Sequence, residues 1–152
     1  MTTPNDQLIK DFVKMSKFAG TRFDLTQAGG GNSSVKLSDG TMLIKASGYL
    51  LSEIEINAGY SIVKTSQTAE IVVSEKIKNC INKKTKEKIS AELLHDCIVD
   101  KTAPRPSIET YFHAILGKFV LHTHPILVNA LTCLANWEEE LLNVFPEAVL
   151  VG

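Results

Sequence analysis

The sequence predicts a layered α/β fold, a largely antiparallel central sheet covered by helices, and three observations predict it. Residues 35–37 and 42–45 are short β-type runs separated by Ser38-Asp39-Gly40, and Asp-Gly between such runs is a strong hairpin signal. Residues 5–19 place Leu8, Ile9, Phe12, Val13, Met15 and Phe18 near helical spacing, as a helix with one buried face requires. Strand-like and helix-like segments then mix without a strict βαβ alternation, which favours an antiparallel sheet.

The elements follow in order. The first helix is predicted over 5–19, with Asn5 or Asp6 as its cap and Gly20 after its end. Ala28 to Ser34 reads AGGGNSS, and three consecutive glycines exclude a regular helix or central strand. After the hairpin, Ala46-Ser47-Gly48 closes the second strand with a small-residue turn. Residues 60–66 and 69–73 carry β-branched side chains and are predicted as strands. The Lys- and Asn-rich stretch 76–88 reads as a solvated face or loop. A short helix opened by Ser90 is expected over 89–99. Beyond Pro104 and Pro106, Ser107 is a good N-cap for a helix whose apolar stripe is Ile108, Phe112 and Ile115. Residues 119–121 form a short apolar strand leading into His122-Thr123-His124-Pro125. Residues 126–134 are apolar almost all round, so that helix is expected to be buried. Asn136 caps a further helix through Trp137, Leu141 and Leu142, and residues 148–151 begin a strand.

Length suggests one domain over residues 1–152. A net charge of −1 offers no general nucleic-acid or membrane partner. The amino-terminal residues lack a charged segment followed by an apolar stretch, and no apolar run approaches the ~18 residues of a spanning helix. Cys80, Cys97 and Cys133 are odd in number and form no C-x-x-C pair. They read as reduced, mostly buried thiols, and the expected location is the cytoplasm.

Three constellations carry chemistry. His122 and His124, two apart at a strand end, point to one face, where two imidazoles can chelate one zinc ion. The pair alone fits two ordinary histidines as well. Glu109, in the first turn of a helix, is placed to stay ionised and to act as a general base near a metal, though a capping role suits it equally. His113, four residues on, reads as a packing and hydrogen-bonding histidine. Gly30-Gly31-Asn32-Ser33-Ser34 with Lys45-Ala46-Ser47-Gly48 offers backbone amides, hydroxyls and a cation to an anion, or a tight turn pair with no ligand.

Taken together, Gly31 to Ser34 (GNSS), Met42 to Gly48 (MLIKASG), Pro106 to Glu109 (PSIE) and His122 to Pro125 (HTHP) resemble the class II aldolase/adducin family, of the fuculose/rhamnulose-phosphate aldolase-like kind. The likeness runs over roughly residues 5–151. Family aldolases cleave a ketose 1-phosphate reversibly into dihydroxyacetone phosphate and an aldehyde, with zinc stabilising the enediolate. The resemblance implies zinc ligands at His122 and His124 and a catalytic acid/base at Glu109. It implies phosphate contacts at Gly31, Asn32, Ser47, Gly48 and Ser107. It also implies a phosphorylated sugar as ligand and a homo-oligomer, a tetramer in many relatives.

The chain departs from the family in two places. Ile108 stands where relatives often carry a hydroxyl residue. The third zinc histidine, which relatives take from a later strand, has no counterpart, so the domain is expected to be C-terminally incomplete. An excised portion of a longer protein, a natural short relative, or closure of the site by His95, His113 or Cys97 would each account for this. The implied function is a zinc-dependent sugar-phosphate aldolase/lyase or a fragment of one. The alternative is a non-catalytic adducin-like or sugar-phosphate-binding module lacking a complete metal site.

Overall fold

The computed structural model describes residues 3–151. Its strands are β1 (Asn32–Lys36), β2 (Thr41–Lys45), β3 (Tyr60–Lys64) and β4 (Phe119–His122). They form one antiparallel sheet in the order β3-β2-β1-β4, as the hairpin signal leads one to expect. The helices are α1 (Pro4–Gly20), α2 (Thr65–Val72), α3 (Glu75–Lys78), α4 (Lys83–Cys97), α5 (Thr110–Ile115), α6 (Ile126–Thr132) and α7 (Trp137–Val144).

Strand alternation sorts the core into two layers. Val35 and Leu43 face each other across β1 and β2 and pack on Phe12 and Val13 of α1. Met42 and Ile44, one residue out of step, point the other way. They meet Ile71 of α2, Leu94 and Cys97 of α4, and Ala114 of α5. Burying each large side chain is worth roughly 1.5–3 kcal/mol. A one-residue slip would send the side chains of the slipped strand to the wrong layer, so packing on both faces holds the register firmly. The hairpin turn helps: the Asp39 carboxylate accepts from the Thr41 amide (3.0 Å) and hydroxyl (2.6 Å), and Gly40 takes a positive φ of 84°.

Several local expectations are corrected. The cap of α1 is Thr3, in a capping box with Asp6. Asn5 instead accepts from the amide and hydroxyl of Ser38, tying the start of α1 to the hairpin turn. Residues 69–73 are not a strand. They fall largely in α2, because helical spacing brings Thr68 and Ile71 together onto the sheet, and that burial overrides β-branched propensity. The lysine-rich stretch is solvated as expected, but part of it is already α4, which Asn82 caps by accepting from the Thr85 amide at 3.1 Å. Ser90 lies inside α4 and caps nothing. Residues 148–151 form no strand among the described residues.

Two helices present the opposite face from the one expected. In α5 the buried residues are Thr110, His113 and Ala114, while Ile108 (70% exposed), Phe112 and Ile115 face outward. The neighbour decides: β1 turns the polar Ser34 toward α5, so the polar stripe docks. No residue of α6 is buried, and its main packing partner is α7. Of the three cysteines only Cys97 is buried; Cys133 is exposed. Among the described residues no helix is long and apolar enough to cross a membrane.

Candidate active site

The sheet register assembles the site. Asn32 begins β1 and stands directly opposite His122 at the end of β4. Both point to the sheet face that carries Ser34 and looks toward α5, and Glu109 stands at the N-cap of α5. The three side chains therefore converge. The Asn32 amide donates to Glu109 Oε2 at 3.1 Å, and His122 Nδ1 lies 3.1 Å from the same oxygen. A carboxylate only accepts, so Nδ1 carries a proton, and in the neutral imidazole Nε2 then keeps its lone pair.

That lone pair faces the second histidine. His122 Nε2 and His124 Nε2 are 3.2 Å apart. Two nitrogens bound to one tetrahedral zinc at ~2.0–2.1 Å would stand about 3.3–3.4 Å apart, so the pair fits two positions of a zinc shell. His124 is held by its own amide, which donates to the Leu25 carbonyl at 2.9 Å. A Cβ on Gly30 would stand 2.9 Å from His124 Nδ1, so glycine at 30 is required for the imidazole to sit there. The three-glycine run was the sequence signal for this requirement, but it pointed to an anion and not to the histidine.

Glu109 touches His122 on Nδ1, away from the Nε2 pair. Among the described residues no three His, Cys, Asp or Glu side chains gather as a metal shell. None of the three proposed substitutes closes the site. His95 is exposed on α4, Cys97 lies in the core beside Leu94, and the His113 ring bonds to the Ser34 hydroxyl at 2.8 Å.

The electrostatics suit a held anion at Glu109. Burial pushes its carboxyl up, but hydrogen bonds from His122 and Asn32 outweigh this and keep it below the usual carboxylate range. Burial pushes His113 the other way, down to about 4 from 6.5, although the Glu109 charge pulls it up. His113 is thus neutral in the fold where the unfolded chain would take up a proton. Its contribution to stability is present above pH 6.5 and lost as pH falls toward 4. Urea unfolding should show a loss of about 2 kcal/mol between pH 7 and pH 5. His113→Gln, which keeps an amide for Ser34, should flatten that limb; an equally steep fall in the variant would contradict the assignment.

Of the residues expected to meet phosphate, the 46–48 turn and Ser107 lie on neighbouring segments, and Asn32 is otherwise engaged. The Ser47 amide donates to the Arg105 carbonyl at 2.8 Å, and Ala46 bridges Pro106, so the 46–48 turn lies against the segment carrying Ser107. Gly31 and Gly48 adopt positive φ values of 76° and 88°. Ser47 and Gly48 are exposed. The Asn32 side chain, however, is already committed to Glu109 and to the Ser33 amide. Lys45 is also committed, since its ammonium is buried against the Tyr49 carbonyl at 2.7 Å, where burial lowers its pKa. Ser107 accepts from the Glu109 amide at 3.3 Å and so caps the turn entering α5.

The family model described as class II aldolase and adducin N-terminal domain matches residues 10–150. The structure of the N-terminal class II aldolase domain of a conserved protein from Thermoplasma acidophilum is similar at 28% identity and a TM-score of 0.72. That match covers 95% of this chain and 67% of the other. YgbL from Klebsiella pneumoniae, whose proposed activity is aldolase, epimerase or decarboxylase, is similar in fold at 20% identity and a TM-score of 0.57. Its Escherichia coli counterpart is similar at 19% and 0.58. The chain covers 89% and 88% of itself in these two matches but only 52% of either YgbL chain, about half their length. No curated protein matches.

Proposed function

The chain belongs to the class II aldolase/adducin family, and from that premise we propose that residues 3–151 form a sugar-phosphate-binding module carrying two of the ligands of a zinc centre. The observation that supports this most is the paired Nε2 atoms of His122 and His124 at 3.2 Å, with no third donor among the described residues. The phosphate of a small ketose would lie over the exposed Ser47-Gly48 turn, with Gly31 and Ser107 at its margins. Asn32 would serve by holding Glu109 rather than by donating to the anion. A zinc ion bound by the two histidines would supply a Lewis acid for the ketose carbonyl.

Cleavage of a ketose phosphate is the second reading, and the retained Glu109 favours it. With its carboxylate ionised and close to the histidine pair, Glu109 is placed to take a proton from a bound ketose. The same carboxylate orients His122 through Nδ1, and such partners are typically worth 10–100-fold in metal affinity. Glu109→Gln is therefore expected to weaken zinc binding by about ten- to a hundredfold, to leave dihydroxyacetone phosphate binding unchanged, and to remove any aldol turnover. Unaltered zinc affinity in a direct titration would show that the contact to His122 positions nothing.

A further inference from the structure

A sizeable cleft of the described structure lies apart from the candidate active site. It has a volume of about 740 Å³ and lies between α4 and the 98–111 segment. None of Gly31, Asn32, Ser47, Gly48, Ser107, Glu109, His122 or His124 lines it. Clefts of roughly 300–1,000 Å³ hold molecules of drug or cofactor size.

Its chemistry is divided. The floor is apolar and includes the buried Leu94 and Ile98. One wall is the Tyr111 ring, fixed by a 2.6 Å bond from its hydroxyl to the Ser90 carbonyl. The rim carries Lys83, Lys86, Lys101 and Arg105 against a single carboxylate, Glu87. None of those four cations has a carboxylate partner among the described residues, although Lys88 on the same helix pairs with Glu92. The chain as a whole carries a net charge of −1, so this is a local concentration of positive charge.

We propose that this cleft is a binding site for an organic polyanion that joins an apolar or aromatic body to several phosphate groups, a nucleoside polyphosphate being its simplest form. The body lies on the Leu94–Ile98 floor beside Tyr111, and the phosphates meet Lys83 and Lys86, while Lys101, whose ammonium donates to the His95 carbonyl, stands at the margin. Neither part alone fills the site: inorganic polyphosphate leaves the floor wet, and a nucleoside leaves the cations unmatched. This site requires no metal and is independent of the histidine pair. It adjoins the candidate active site through Arg105, whose carbonyl accepts the Ser47 amide.

Calorimetric titration of the 152-residue chain with magnesium-free ATP tests this, with inorganic triphosphate and adenosine as controls. One ATP should bind per chain, at least about tenfold more tightly than either control. The double variant Lys83→Glu, Lys86→Glu should lose about tenfold or more in ATP affinity. Both side chains are exposed, and acidic residues suit the first turn of α4, so the fold should survive; circular dichroism checks it. Ser47→Glu should leave ATP binding intact. Absence of saturable ATP binding would overturn the proposal. Equal affinity for inorganic triphosphate would leave no role for the apolar floor and would also overturn it. So would loss of ATP binding in Ser47→Glu but not in the double variant, which would place the phosphates at the Ser47-Gly48 turn. If the Glu138-Glu139-Glu140 turn of a second copy occupies the cleft instead, sedimentation will show a dimer that the double variant dissociates and ATP will not bind.

Discussion

His122→Ala is expected to lower zinc affinity by at least about a hundredfold, and His124→Ala should do the same. The reason is geometric. With both rings present, two nitrogens 3.2 Å apart meet one ion without reorganisation. With either removed, a single imidazole remains, and a lone neutral ligand holds zinc only weakly in water. His122→Ala also strips Glu109 of its Nδ1 partner, leaving that partly buried carboxylate held by Asn32 alone. Its pKa should then rise toward the ordinary range. His95→Ala, on the exposed face of α4, is the matched control and should change nothing. Zinc titration with a competing chelator measures all three. Unchanged affinity in both site variants would remove the ligand assignment.

Gly31→Val is expected to damage the fold and the site together. Gly31 has a φ of 76°, a backbone state that costs a side-chain-bearing residue ~1–2 kcal/mol and a β-branched one more. A Cβ there would also lie 2.8 Å from the His122 carbonyl and 2.9 Å from a Thr26 methyl. The first contact is with backbone that cannot move without disturbing the β1–β4 register, where Asn32 pairs with His122. A destabilisation of about 3 kcal/mol or more should follow. Zinc affinity should fall with it, because the His122 backbone is displaced. Denaturant unfolding and the same chelator titration read the two effects. Wild-type stability in the variant would show that the 30–32 turn relaxes freely.

Much of this site could be read from local spacing. Two histidines two residues apart were expected to share a face, and the structure brings them to 3.2 Å, although β4 ends at His122 and the Leu25 carbonyl holds the His124 backbone beyond it. Asp-Gly between β-branched runs dictated the hairpin and its register. Of the pair, Glu109 meets His122 alone, through Nδ1. What was not legible depends on neighbours distant in sequence. The α5 stripe was read from its apolar residues, yet the polar Ser34 across the layer selected His113 for burial and left Phe112 outside, 63% exposed. α6 reads as buried from composition, but burial needs a covering element, and α7 covers it only in part. Residues 69–73 resemble a strand until the sheet below rewards helical spacing at Thr68 and Ile71. The role of Gly30 could not be deduced either, since nothing local says that His124 will fold back over it.

Under the proposed function the 152-residue chain binds a phosphorylated ketose through its own turns, and zinc binding is a separate property of the histidine pair. Calorimetric titration with dihydroxyacetone phosphate in the presence of a chelator tests it most directly, on wild type and on Ser47→Glu. Ser47 is exposed, so the substitution disturbs no packing and only sets a negative charge where the phosphate should lie. Saturable one-to-one binding without zinc, lost in Ser47→Glu, is the predicted result. No binding without zinc, or binding that Ser47→Glu leaves unchanged, would contradict it.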